Sequence, residues 1–113
     1  MAATITWRIN QMQRTTADGG VTEVRWECIG TDEDATAGEA HVYTCTYDAS
    51  ASDFIKYEDL KESDVVGWVK SFCNAQPLDR MKVDAIEKRV ADDCATRLAE
   101  IEKAKTKSTG VPW

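Results

Sequence analysis

Four cysteines are the residues of this sequence whose chemistry stands out. They lie far apart in the chain, at Cys28, Cys45, Cys73 and Cys94. Zinc sites use closely spaced cysteine pairs, so this spacing does not predict a metal site. Two interpretations remain open: four reduced, half-buried thiols, as is usual for a chain without an export signal, or disulfides in a particle that must survive outside the cell.

The elements that carry the cysteines limit how they can pair. If residues 31–38 form the loop of a hairpin, Cys28 and Cys45 fall nearly opposite each other on neighbouring strands, where they could bond or stay reduced. Cys94 would lie about 20 Å along a helix whose start is beside Cys73, whereas the Cα atoms of a disulfide lie within about 7 Å. If Cys73 and Cys94 are oxidised, we expect their partners in other chains; a buried thiol at a helix interface is the alternative for Cys94.

No other group of residues predicts catalysis or ligand binding. The sequence has no Gly-rich phosphate loop, no His-Glu-x-x-His and no Gly-x-Ser-x-Gly. His41 is the single histidine and has no Cys or acid at ligand spacing, so we interpret it as a sheet-face residue. Asp32, Glu33 and Asp34 supply too few oxygen ligands for a calcium loop. We therefore predict no enzyme, no metal and no cofactor.

Alternating apolar and polar residues predict three strands. The first covers residues 4–10, the second carries Val24, Trp26 and Cys28 on one face and stops near Gly30, and the third covers residues 40–47. Asp18-Gly19-Gly20 tolerates the positive φ angles of a hairpin connection. Residues 31–38 are typical of an exposed loop.

The apolar period then changes to that of a helix. The first helix is predicted at about residues 60–73, with Asp59 and Glu62 as a capping box. It presents one apolar stripe to the sheet, formed by Val65, Trp68, Val69 and Phe72. Gly67 costs about 1 kcal/mol relative to Ala inside a helix, so we expect it to pack closely against the sheet.

A second helix is predicted at about residues 78–105. It would be about 40 Å long, whereas strands of five to seven residues extend only about 20 Å. Its distal half should therefore project or pack on another chain. Gly110 and Pro112 end any helix, which leaves Val111, Pro112 and Trp113 as an extended tail and a candidate partner-binding segment.

These elements predict an α+β fold: a three-stranded antiparallel meander, a short helix packed on the sheet, a long helix and a C-terminal tail. Residues 1–76 form the sheet and first helix, and residues 77–113 form the long helix and tail of the same domain. The expected core is Trp7, Trp26, Val65, Trp68, Val69 and Phe72.

The charge of the chain argues against several partners. The net charge is −6 and the pI is near 4.7, which disfavours nucleic acid, because its binders neutralise phosphates with Lys and Arg. The late Lys103, Lys105 and Lys107 suit the C-terminal end of a helix dipole. No apolar run approaches 18 residues and no secretory signal is evident, so we expect no membrane partner and synthesis in a cytoplasm.

Three blocks of residues resemble a family of short proteins encoded by tailed bacteriophages. They are Thr6-Trp-Arg-Ile-Asn-Gln-Met12, then Phe54-Ile-x-Tyr-Glu-Asp-Leu60 with Val65-Val-Gly-Trp-Val69, and finally Thr109-Gly-Val-Pro-Trp113. The blocks frame nearly the whole chain in the same order. Two departures are Lys61, where the family tends to place a capping Thr, and a longer second helix around residues 91–96, which includes Cys94.

The resemblance implies a virion component made in the host cytoplasm. We expect a capsid-associated decoration or linking protein that joins neighbouring subunits, with intermolecular disulfides as one means of linkage. Its expected partners are other virion proteins, capsid or neck subunits, in a symmetric multi-copy assembly. The alternatives are a neck or tail structural protein, or a non-virion phage protein that binds a host factor.

Overall fold

The chain forms a three-stranded antiparallel sheet followed by two helices. The structure is a computed structural model that describes residues 3–47, 49–52, 54–106, 108 and 110–112. The strands are β1 (Thr4–Arg14), β2 (Val21–Asp32) and β3 (Ala35–Thr44), with β2 in the centre. The helices are α1 (Glu62–Asn74) and α2 (Val83–Ala104). This order confirms the predicted α+β meander.

The alternation along the strands places one face of the sheet under the helices. Val24, Trp26 and Cys28 of β2 are buried there, and Trp7 of β1, directly opposite Cys28, is half-buried beside them. The opposite face, called the open face below, consists of half-buried and exposed residues. On β3 these are Thr36, Gly38, Ala40, Val42 and Thr44.

The first hairpin agrees with its sequence signal. The N–H of Thr15 donates to the carbonyl of Gly20 (2.9 Å), and the N–H of Gly19 donates to the carbonyl of Thr15 (2.8 Å). Gly19 has a φ of +73°, a conformation that glycine adopts without steric cost.

The predicted loop at residues 31–38 is wrong. β2 and β3 pair up to Asp32 and Ala35, so only Glu33 and Asp34 form the turn. Glu33 has a φ of +52°, as tight hairpin turns require. Ala35 and Ala37 are 1% and 2% exposed because α2 packs closely on them. The small residues that gave this segment a loop-like composition therefore belong to a strand that a helix covers.

The third strand consequently lies earlier in the chain than predicted. It covers Ala35–Thr44 rather than residues 40–47. The shift also changes the expected position of Cys45, whose N–H bonds to the carbonyl of Thr22.

α1 begins two residues later than predicted and has a different cap. Residues 57–59 form a 3-10 turn, and Lys61 is the N-cap residue, whose N–H donates to Asp64 Oδ2 (3.1 Å). The predicted capping box of Asp59 and Glu62 is therefore wrong. Glu62 instead accepts a hydrogen bond from the N–H of Ile9 in β1 (3.1 Å).

The apolar stripe of α1 faces the sheet, but Gly67 does not. Val65 and Val69 are buried, and Trp68 and Phe72 are half-buried against the same core. A Cβ atom at Gly67 would have no atom within 4 Å, so the expectation of close packing there is wrong.

α2 is shorter than predicted and lies on its own sheet. It begins at Val83, after a 3-10 turn at Asp79–Met81, and ends at Ala104. At 22 residues it is about 33 Å long, which matches strands of 10 to 12 residues at about 35 Å. The distal half packs on Ala35 and Ala37 through Cys94, Leu98 and Ile101. It therefore does not project, because the strands are longer than predicted.

Candidate functional site

An apolar cleft opens where the end of β3, the β3–α1 connection and α1 meet. Its volume is about 580 Å³. Among the described residues, five aromatic side chains contribute to its lining: Tyr43, Tyr47, Phe54, Trp68 and Phe72. We call it the aromatic cleft; its remaining lining residues are Val21, Cys45, Thr46, Ala51, Ile55, Leu60 and Ser71.

Ring contacts and one polar anchor fix the walls of the aromatic cleft. The ring centroids of Tyr43 and Phe72 lie 4.4 Å apart, which joins β3 to α1. Those of Tyr47 and Phe54 lie 5.9 Å apart. The hydroxyl of Tyr47 donates to the carboxylate of Asp18, at 2.8 and 3.1 Å from its two oxygens. The wall near Tyr47 is thus attached to the β1–β2 hairpin.

The ring of Tyr47 packs directly against Gly20 of the β1–β2 hairpin. A Cβ atom at Gly20 would overlap the ring of Tyr47, so a larger residue there would displace this ring from its position. The N–H of Gly20 also donates to Asp18 Oδ1 (3.0 Å). This bond and that from Tyr47 hold the pKa of Asp18 below its ordinary value.

The predicted core residues divide into two groups. Trp26, Val65 and Val69 are buried beneath the helices. Trp7 is half-buried at the edge of that core, while Trp68 and Phe72 are half-buried and face the aromatic cleft. Two aromatic residues of the helix stripe therefore form a surface recess as well as the core.

The four cysteines are free thiols and do not form pairs. Cys28 lies opposite Glu39 of β3, not opposite Cys45. The predicted juxtaposition of Cys28 and Cys45 is therefore wrong, because it depended on the loop at residues 31–38. Cys45 alone is half-buried rather than buried, and its Sγ donates to the carbonyl of Val21 (3.3 Å).

The other three cysteines are buried and therefore poorly placed to form bonds between chains. Cys28, Cys73 and Cys94 are at most 1% exposed. Burial raises the pKa of Cys28 to about 11 and also raises the pKa of Cys73. Sγ of Cys94 lies 3.7 Å from the carbonyl of Ala35, at the helix–sheet interface. These thiols are enclosed within the folded chain, which argues against bonds from Cys73 and Cys94 to other chains; such bonds stay a prediction, and the buried-interface alternative describes the position of Cys94.

The candidate partner-binding tail is exposed where the structure describes it. Val111 is 65% exposed and Pro112 is exposed. Trp113 lies outside the described residues. Upstream, Nζ of Lys105 lies 3.1 Å from Glu102 and 3.6 Å from Asp34, which attaches the end of α2 to the β2–β3 turn.

A polar group at the centre of β3 is absent from the sequence predictions. The guanidinium of Arg89 donates two hydrogen bonds of 2.9 Å to Glu39, and Nε2 of His41 lies 2.9 Å from the same carboxylate. Burial alone would raise the pKa of Glu39, but these bonds hold it below its ordinary value. His41 itself is exposed on a face of the sheet, in agreement with its interpretation from the sequence as a sheet-face residue. No sequence signal links Glu39 to Arg89, because they are 50 residues apart.

An aromatic row crosses the covered face beside this polar group. The ring of Trp26 lies 5.1 Å from those of both Trp7 and His41. Nε1 of Trp7 donates to Glu87 of α2 (2.7 Å), whereas Nε1 of Trp26 is buried without an acceptor among the described residues. The row ties β1, β2 and β3 together beneath the helices.

The described part of the chain offers neither a cluster of metal ligands nor a membrane-spanning helix. Within it, no three His, Cys, Asp or Glu side chains are grouped so as to hold a metal ion. None of its helices is long and apolar enough to cross a membrane.

Comparison with known proteins identifies a family. A family model described as a domain of unknown function, DUF7936, matches residues 2–113. No curated protein and no solved structure matches the chain. Because the model covers nearly every residue, the chain belongs to the DUF7936 family.

Proposed function

We propose that this member of the DUF7936 family is a structural component of a tailed-phage virion. In this proposal it is a capsid-associated decoration or linking protein that joins neighbouring subunits. It is made in the host cytoplasm, and its partners are other virion proteins in a symmetric multi-copy assembly.

The aromatic cleft is the observation that supports an assembly role. Phe54, Leu60 and Trp68 line it, and all three belong to the middle block of the phage resemblance. Residues needed only for folding would be expected to close over one another, whereas these leave an apolar recess open to solvent. Aromatic recesses of this kind hold the anchoring side chains of partner proteins.

The exposed tail supplies the complementary contact. Val111 and Pro112 are apolar and exposed, and Trp113 follows them in the sequence. We assign residues 111–113 as an anchor that inserts into a neighbouring subunit, since aromatic anchors dominate the binding energy of many interfaces. In this proposal Cys28, Cys73 and Cys94 take no part in the linkage between chains, because they are buried. Cys45 is half-buried and is the one cysteine accessible enough to form a bond to another chain.

Protein composition of purified particles tests the proposal directly. Quantitative mass spectrometry of particles should find this chain in a fixed ratio to the major capsid protein. Absence from particles would overturn the proposal. Recovery from infected-cell extract in complex with a host protein would then support the non-virion alternative.

A variant of the cleft tests whether the recess carries the attachment. Ser71 is exposed and lines the aromatic cleft, whereas Ser63 is exposed on the same helix but is not part of the cleft lining. Ser71→Arg should place a cation in the recess and lower incorporation into particles about tenfold, the effect of about 1.4 kcal/mol of binding energy. Ser63→Arg should be incorporated normally.

Both variants must first show wild-type circular dichroism and thermal unfolding. Equal incorporation of the two folded variants would show that the cleft is not the attachment site. Non-reducing gels of particles with blocked thiols complete the test: a band near 12.6 kDa without reductant is expected, because three thiols are buried. A band that appears only after reduction would assign the linkage to Cys45, which Cys45→Ser should then abolish.

A further inference from the structure

The outer edge of β3 has main-chain groups that pair with no other strand of the described chain. The N–H of Cys45 donates to Thr22 of β2. In an antiparallel pair the bonding direction alternates, so the odd-numbered residues of β3 bond to β2 and the even-numbered ones point outward. The outward residues are Thr36, Gly38, Ala40, Val42 and Thr44, and all five are exposed.

Features that commonly protect an edge strand are scarce here. Proteins blunt such edges with charged side chains, prolines or bulges. The five outward residues of β3 are uncharged, and its pairing with β2 is continuous from Thr44 to Ala35. Arg97 donates to the carbonyl of Thr36 (3.1 Å), which covers one end. The segment from Gly38 to Val42 can accept another strand.

The shape of this segment is self-complementary about Ala40. When two copies of β3 pair antiparallel with Ala40 on the two-fold axis, Val42 of each copy lies opposite Gly38 of the other. Val42 is 50% exposed. A shallow recess of about 310 Å³ lies beside Gly38, lined by Ile29 and Ala40 and by the charged residues Glu27 and Arg97. Each copy thus offers a projecting valine and a recess to receive it.

No like charges of β3 oppose each other in the same register. Glu39 of one copy lies opposite His41 of the other, on the face that carries the helices. Like charges directly opposite each other destabilise a strand pair, so this register avoids that cost. The carboxylate of Glu39 lies 2.9 Å from both Arg89 and His41 of its own copy, and the imidazole of the second copy would lie beside this polar group.

We infer that β3 pairs antiparallel with β3 of a second copy of this chain, with Ala40 on the two-fold axis, to form a six-stranded sheet. Between Gly38 and Val42, each opposed pair of outward residues exchanges two main-chain hydrogen bonds. The contact is smaller than a standard interface, so the dimer dissociates on dilution. This inference does not depend on the phage assignment, because it concerns the purified protein alone.

Sedimentation of the purified full-length chain from about 1 µM to about 1 mM tests the dimer. The mass should rise with concentration from 12.6 kDa towards twice that value. Val42→Lys should raise the dissociation constant about tenfold or more, because symmetry introduces the cation twice. Thr6→Lys, on the open face of β1, should change it less than about twofold. A monomer throughout, or equal dissociation constants for the two variants, would overturn the inference.

Cysteine trapping tests the register. Across the axis the two Ala40 Cα atoms would lie about 5.5 Å apart, within disulfide range. The two Val42 Cα atoms would lie about 14 Å apart. Under mild oxidation Ala40→Cys should form a covalent dimer, whereas Val42→Cys and the wild type should not. A covalent dimer of Val42→Cys, or none of Ala40→Cys, would overturn the assigned axis.

Discussion

The two outer strands of the sheet, β1 and β3, differ in how their unpaired main-chain groups are protected. On β1 the residues whose main-chain groups point outward include Ile5, Trp7 and Ile9, and their side chains turn towards the helices. The N–H of Ile9 is occupied by Glu62 of α1, and the pairing with β2 is interrupted between Ile9 and Gln11. A bulge and a covering helix are both means of protecting an edge.

On β3 the outward residues place their side chains on the open face. α2 packs on the covered face of β3 and reaches its outer edge through Arg97. The first turn of α1 occupies a main-chain group of β1 near the middle of that strand, whereas α2 reaches the edge of β3 only near the end of the strand, at Thr36. The edge of β1 is therefore protected beside Ile9, whereas the edge of β3 from Gly38 to Val42 is the one assigned to a second copy in the inference above.

Truncation of one apolar side chain in each outer strand should show the largest difference. Trp7→Ala removes a ring stacked on Trp26 and a hydrogen bond to Glu87, and should lower the free energy of unfolding by about 3 kcal/mol. Val42→Ala, on the open face, should lower it by less than about 0.5 kcal/mol. Urea unfolding of dilute protein measures both. Similar losses would mean that the two strands contribute equally to stability.

The thiol of Cys28, in the central strand β2, should make the free energy of unfolding decrease at alkaline pH. Cys28 lies between Trp7 and Glu39, and burial raises its pKa from 9.0 to about 11. Between pH 9 and pH 11 the unfolded chain then binds fewer protons at this site than the folded chain, so stability falls as pH rises through this window. We expect a loss of about 2 kcal/mol from this group.

The control for this pH dependence is Cys28→Ala. The variant keeps the lysines, tyrosines and other cysteines that titrate in the same range, so only the contribution of Cys28 disappears. Denaturant unfolding at several pH values should give a shallower decline for the variant. Parallel declines would show that the thiol of Cys28 ionises as readily in the folded chain as in the unfolded one.

The sequence contains the period of the strands but not the position of the helices over them. Ile5, Trp7 and Ile9 alternate with polar residues, so the face of β1 could be predicted. Ala35 and Ala37 alternate too, but small residues are favoured there only because α2 approaches closely. That information lies about 60 residues away, beside Cys94. The predicted loop and the predicted cysteine pair failed for this one reason.

The candidate site was predictable to a similar extent. Trp68 and Phe72 were assigned to a stripe that faces the sheet, which they do. The aromatic cleft depends instead on how Phe54 folds back against Tyr47, and no repeating pattern fixes a connection of that kind. The anchor from Tyr47 to Asp18 joins residues 29 positions apart, so only the structure could show it.

Removal of the carboxylate that covers β1 should have a moderate effect. Glu62→Ala leaves the N–H of Ile9 without its acceptor and should lower the free energy of unfolding by about 1 kcal/mol. Glu62→Gln keeps an acceptor oxygen and should cost less. Hydrogen exchange of the Ile9 amide should quicken about fivefold in Glu62→Ala. Unchanged exchange would mean that this contact does not protect the edge.

Substitution of Gly67 in α1, the helix that covers β1, should have the smallest effect on the free energy of unfolding. The position is helical and exposed, and a methyl group there would meet no atom within 4 Å. Gly67→Ala should therefore raise the free energy of unfolding by about 0.5–1 kcal/mol, as urea unfolding can measure, with Ser63→Ala as the exposed control on the same helix. If α1 protects β1 locally, exchange of the Ile9 amide should slow while that of Tyr43 in β3 stays the same. Equal slowing of both amides would show that the sheet opens only as one unit, and the difference between the two edges would then concern partner binding and not stability.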